Sequence, residues 1–226
     1  MHISDGLLPA SVCVGGYVLA GTATVISLRR VQDREIPGLA LMTSAFFAAS
    51  LIHVRIGPTS VHLLLHGLVG AVAGPGTMIP IVVGLIMQAL LFAHGGVTTL
   101  GVNAVMIGLP AVAAGWCIRR WGLPVGGQGP VSAARPTLVG FLAGSGAVIL
   151  SLAIFLAVGL TADPAFFSAI GVFLVAHLPL AAVEGLVTAA AVGFLVKVKP
   201  EVLDARKMGV IARRGDSSQL HRGPSP

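Results

Sequence analysis

Seven apolar runs, at about residues 7–28, 37–54, 59–73, 77–93, 100–118, 137–160 and 166–196, follow one another with only turn residues or short charged stretches between them. A helix crossing the hydrocarbon needs about 20 apolar residues, so this succession predicts an all-α membrane protein, a compact bundle of about seven transmembrane helices. Composition agrees: 55% of the 226 residues are hydrophobic and 10% charged, against about a quarter charged in soluble domains. Residues 1–197 form the expected transmembrane domain. From 198 to 226 the chain is basic and lacks apolar periodicity, which predicts a flexible tail. The third and fourth runs are short and parted only by Gly74-Pro75-Gly76, a helix-breaking turn. Helices that stop at membrane depth are expected around an enclosed site.

Charge sets the orientation. Every Lys and Arg except Arg55 follows the first, fifth or seventh run, which the positive-inside rule assigns to the cytoplasm. The amino terminus is then outside, inserted into the bundle, and the carboxyl terminus cytoplasmic, in a multi-pass protein of the cell (inner) membrane. The net charge of +6 is read as a topology signal, and no nucleic-acid partner is expected. No phosphate loop of the Gly-x-x-x-x-Gly-Lys type is present, so any ATP-driven step needs another subunit. The chain is expected to be a transport component and not an enzyme.

Chemistry starts at the first residues, Met1-His2-Ile3-Ser4-Asp5-Gly6. The Met1 amine, the deprotonated His2 amide and His2 Nδ1 can close two chelate rings on one ion. Planar nitrogen coordination selects late first-row metals over Mg(II) or Ca(II). No Lys or Arg precedes the first run, so no cleavable leader is expected. The fourth position needs another imidazole. His62 and His66 are four residues apart on the third run, hence on the same helix face. His62, nearer the outer end, is favoured, with His66 as the alternative or an outer-sphere partner.

Other polar residues group around this site or inside the runs. Residues 93–103, Ala-His-Gly-Gly-Val-Thr-Thr-Leu-Gly-Val-Asn, join two runs on the outer side. Its glycines allow close backbone approach. His94, Thr98, Thr99 and Asn103, with Asp5, Ser60 and Gln88, are expected to orient the metal-bound terminus. Glu184 and His177 lie inside the seventh run, where an ionisable residue is costly; for Glu184 a hydrogen-bond anchor is favoured over a proton carrier. Small residues recur four apart in the first run, among them Gly16, Ala20 and Thr24, a pattern that permits close helix contact, within the bundle or with a partner.

Met1 to Gly6, Ser60-Val61-His62, the segment from His94 to Asn103, His177-x-Pro179 and Glu184-Gly185 together resemble the CbiM/NikM family, the substrate-capture components of energy-coupling-factor cobalt and nickel importers. The resemblance implies that Met1, His2 and His62 hold the metal. It further implies a transmembrane scaffold partner, two cytoplasmic ATPase subunits and a possible small accessory membrane protein. The scaffold is expected to dock on the first helix at Gly16, Ala20, Ala23 and Thr24. The expected substrate is Co(II), alternatively Ni(II), for cobalamin biosynthesis in the first case. A proton-coupled secondary cation carrier using Glu184 and His177 is the alternative from another class.

Overall fold

The computed structural model describes residues 2–56, 59–123, 133–162 and 167–203. Seven α-helices carry the chain: α1 (Ala10–Leu28), α2 (Ile36–Leu51), α3 (His66–Ala73), α4 (Met78–Phe92), α5 (Leu100–Cys117), α6 (Ala134–Gly159) and α7 (Phe167–Val198). The architecture is the expected all-α membrane bundle, with one small exception. Between α2 and α3 lies an antiparallel hairpin of β1 (His53–Ile56) and β2 (Thr59–His62), with His53 opposite His62 and Val54 opposite Val61. The third apolar run, expected to be helical from residue 59, therefore begins as a strand. Thr59 and Val61 are β-branched, which suits a pleated segment, and the helix starts only beyond Leu65, whose φ of 51° lies in the left-handed region.

Helices α1, α5 with the turn that follows it, α6, and α7 from Phe173 onward are long and apolar enough to cross a membrane. Residues 66–76 and 78–92 form a pair bent by 120°. That pair runs in and back out, because its two ends lie together at one end of the bundle and its bend at the other. His62, just ahead of α3, meets His2 and His94, and His94 follows α4. Gly74 and Pro75, at the bend, instead line a cavity of about 190 Å³ with Arg34, Arg119 and Leu203. Helix α3 rises only about 12 Å. Residues 62–64, if extended, add about 10 Å, so the segment and helix together cover about two thirds of the roughly 30 Å of hydrocarbon.

Helix α5 is the central wall. Eleven of its 18 residues are buried, against four of the 19 in α1. Small residues let its neighbours touch it by their backbones. A Cβ added at Gly70 of α3 would collide with the Ala111 carbonyl oxygen, and one at Gly115 with the Gly70 carbonyl. On the other side a Cβ at Gly16 would sit 2.5 Å from Val102 Cγ2. Gly16 and Ala20 are buried, while Ala23 and Thr24 are half-buried. Gly16 and Ala20, expected to dock a partner, are therefore taken up by internal packing, as the alternative reading of the stripe had it. Apolar side chains of α2, α4, α5 and the segment before α3, Phe46, Leu64, Ile81, Met106 and Ile107, fill the core around this wall.

The inner end is closed by the chain beyond α7. Pro200–Val202 makes one short turn, and Leu203, 1% exposed, packs with Ile118, Val192 and Val196. The packed bundle thus reaches Leu203, past the expected boundary at 197. The remainder of the expected tail, 204–226, lies outside the described residues.

Candidate metal centre

Residues 2–9 precede α1 and fold back over the outer end of α5. Ile3 is the pin: it is 1% exposed, and its backbone is held on both sides. Its N–H donates to Asn103 Oδ1 at 2.9 Å, and its carbonyl accepts from Asn103 Nδ2 at 3.0 Å and Thr99 Oγ1 at 2.7 Å. A single amide side chain in the first turn of α5 thereby satisfies both polar groups of one residue. Asp5 makes the second attachment. Its carboxylate accepts from Val97 N–H at 3.0 Å, Thr98 N–H at 2.8 Å and the Thr98 hydroxyl. These donors lead into α5, where free amides and the helix dipole favour an anion. The Thr98 hydroxyl, and then the backbone amides, hold the Asp5 carboxyl below its ordinary value of 3.8. Tyr17 of α1 adds a hydrogen bond from its hydroxyl to the Val97 carbonyl.

This docking delivers His2 to the two other imidazoles. His2 comes from the terminal loop, His62 ends β2, and His94 follows α4. Their ligand atoms all lie within 4.8 Å of one another. His2 Nδ1 is 3.4 Å from His62 Nε2, and the His94 ring stands edge-on to both, with centroids 4.5 and 5.4 Å away. His62 Nδ1 is 2.9 Å from the Leu63 carbonyl. A carbonyl only accepts, so Nδ1 carries the proton and the Nε2 lone pair faces His2. Gly95, with φ +83°, makes the approach possible: a Cβ there would sit 3.3 Å from His2 Cδ2. At Gly96 a Cβ would strike the Asp5 carboxylate.

Burial first, and the neighbouring His62 and His94 rings after it, push the His2 imidazole well below its ordinary value of 6.5. It is therefore neutral near pH 7, the form that binds metal. Metal–imidazole bonds run at about 2.0–2.1 Å, so one ion between His2 and His62 reaches both. Three imidazoles with no carboxylate among the described residues of the centre suit a late first-row ion and not Mg(II) or Ca(II).

The other expected residues divide clearly. Met1 lies outside the described residues, and the Ser60 side chain is likewise not described. Gln88, 1% exposed, stands beside His2, with its side-chain amide directed at the imidazole. His66 is not on a helix face shared with His62, since β2 ends at His62 and α3 begins at His66. Its ring turns to α6, where Nε2 is 3.0 Å from Ser151 Oγ. His177 also faces inward: Nδ1 is 2.7 Å from the Phe173 carbonyl, and the ring stacks on Phe173. Glu184 accepts hydrogen bonds from the Leu64 and Leu65 amides. The sequence reading placed His94 among the residues behind the metal; the structure stands it beside His2 and His62. The signal that was available for it is the following Gly-Gly, which lets the backbone bring its ring in.

A family model described as the cobalt uptake substrate-specific transmembrane region, CbiM, matches residues 2–202. The chain belongs to the CbiM family. A metal transport protein of Haemophilus influenzae is similar to this CbiM chain, 31% identical over 90% of it and 97% of the relative. A cobalt transport protein CbiM of Methanocorpusculum labreanum is 32% identical over 93% of the chain and 94% of the relative. A fused nickel transport protein NikMN of Archaeoglobus fulgidus is 29% identical over 91% of the chain and 69% of its own length. A crystal structure of a truncated transition metal transporter shares the fold, with a TM-score of 0.66 at 21% identity over 89% of this chain and 99% of that one. Membership of CbiM makes the chain a membrane transport protein for cobalt or nickel.

Proposed function

We propose that the chain is the substrate-capture component of an ATP-driven importer of the energy-coupling-factor type, taking Co(II), with Ni(II) the alternative, from outside the cell. The observation that carries the reading is the convergence of His2, His62 and His94 from three separate segments. In the proposed site the Met1 amine, the His2 amide and His2 Nδ1 chelate the ion in one plane. His62 Nε2 supplies the fourth nitrogen, and His94 stands at the side. Capture displaces protons from the amine and amide, so affinity depends on pH.

The basic segments 29–34 and 119–135 support an amino terminus outside and a carboxyl terminus in the cytoplasm of the inner membrane. The fusion in the Archaeoglobus relative supports a chain that works with further components. We assign these as a transmembrane scaffold, two ATPase subunits and, in some systems, a small accessory membrane protein. With Gly16 and Ala20 turned inward, the surface of α1 left for the scaffold is its exposed side, which carries Gly15, Val18 and Thr22.

The deciding experiment is titration of the purified native chain and His2→Ala with Co(II) and Ni(II) under visible absorption. One equivalent bound with a planar-nitrogen band, absent from the variant, is the expected result and ranks the two metals. Equal binding by both proteins, or by neither, ends this reading.

A further inference from the structure

The junction that carries His62 is not held by its own neighbours in sequence. Between β2 and α3 the chain passes through Leu65 at φ 51° and ψ 28°, and no local side chain caps the start of α3. A leucine in the left-handed region needs outside support, and the amides ahead of a first turn have no helical partner. Both needs are met from 120 residues away. Glu184 of α7, with none of its surface exposed, directs Oε1 at the Leu64 and Leu65 N–H groups, the second at 2.7 Å. One residue earlier, the Leu63 carbonyl holds His62 Nδ1 at 2.9 Å and so aims Nε2 at His2. A continuous set of contacts therefore runs from α7 through residues 63–65 to the nitrogen that faces the metal centre. One turn beyond Glu184, Thr188 lies against Gly67 and Gly144, where an added Cβ at Gly144 would sit 2.6 Å from its hydroxyl. Helix α7 is thus packed tightly against α3 and α6 at this level.

We propose that Glu184 is the positioning residue of the His62 ligand, so that the placement of α7 decides whether the metal has its fourth nitrogen. The inference rests on the metal-capture reading and adds to it a release element: displacing α7 withdraws His62 and leaves the ion on the terminal chelate alone. It assigns the Glu184 oxygen, and not its charge, to the task. Oε2 has no hydrogen-bond partner among the described residues, so a glutamine keeps Oε1 on both amides. Aspartate keeps the charge and withdraws the oxygen by one methylene.

The test measures Co(II) and Ni(II) affinity and visible absorption of the purified chain as Glu184→Gln, Glu184→Asp, His62→Ala and the His62→Ala/Glu184→Asp double variant. Glu184→Gln is expected to bind like the native chain. Glu184→Asp is expected to weaken binding about 10–100-fold, the usual effect of losing a partner behind a ligand, and to show the band of His62→Ala. The double variant should be no weaker than His62→Ala alone, since the two changes remove one donor. Losses that multiply, a Glu184→Asp chain that binds like the native one, or a Glu184→Gln chain as weak as Glu184→Asp would each overturn the proposal. Helical circular dichroism of the glutamine and aspartate variants keeps misfolding apart from misplacement. Failure of the metal-capture reading is visible separately, as a native chain that binds no better than His2→Ala.

Discussion

Two groups of histidines occupy this bundle, one at its half-buried mouth and one in its fully buried interior. At the mouth, His2, His62 and His94 come from a terminal loop, a strand end and an interhelical segment, and their nitrogens face one point. In the interior, His66 and His177 sit on α3 and α7 with one nitrogen each engaged, by Ser151 and by the Phe173 carbonyl. The difference lies in the backbone. Helices fix their side chains on separate faces, whereas short irregular segments, pinned by Asn103 and Asp5, can aim three rings inward. In an apolar bundle, then, burial of a histidine does not mark a site; convergence of segments distant in sequence does.

The sharpest way to break the comparison is to exchange the losses. His2→Ala should abolish tight Co(II) or Ni(II) binding, by more than the about 10–100-fold that outer partners contribute. His177→Ala should leave affinity unchanged in the same calorimetric titration. Next in size is the neighbouring pair. His62→Ala should weaken metal binding and shift the absorption band. His66→Ala should forfeit only the Ser151 hydrogen bond, about 0.5–1.5 kcal/mol, seen as a lower melting temperature with metal affinity intact. Metal binding that follows His66 instead of His62 would erase the distinction.

Loss of the pin is expected to have a smaller effect. Asn103→Ala leaves the buried Ile3 amide and part of its carbonyl without partners, at about 1–3 kcal/mol. That corresponds to metal binding weaker by about tenfold to a hundredfold, with the three imidazoles still present. The variant's loop, probed by hydrogen exchange of residues 3–5, should exchange faster than in the native chain.

Acid should separate the groups last and most gradually. The docked His2 is held below 6.5, so the undocked loop takes up a proton first. Docking is therefore favoured above about pH 6.5 and weakened as pH falls below it. Asp5, held below 3.8, keeps its contribution until pH falls through that lowered value. Metal should accordingly leave at mildly acid pH while residues 95–99 remain protected by Asp5. Simultaneous loss of metal and protection would show that Asp5 does not act as an independent attachment.

The sequence made the apolar runs, the terminal chelator and the His-Gly-Gly segment visible because each depends on local chemistry. Gly95 and Gly96 stand beside His94 in the chain as they do at the site. What could not be read there depends on distant partners. Nothing local to Leu65 announces a left-handed residue, and the mainly apolar run from 59 to 73 reads as helix although its first four residues pair with β1. The stripe of Gly16 and Ala20 permits close approach without saying to what, and α5 turned out to be the answer. Leu203 likewise lies in a stretch whose charge suggests solvent, yet it fills a gap between α5 and α7.

The contact between α3 and α5 has a mechanical consequence. Gly70 and Gly115 meet backbone to backbone, and Arg119 Nη1 donates to the Gly70 carbonyl at 3.0 Å, so at this level the helices touch with little side chain between them. They form a fixed post, tethered to the terminal loop at one end and lining the inner cavity at the other. A close backbone contact of this kind makes the α3–α5 pair the natural frame of reference for measuring how the terminal loop and α7 move.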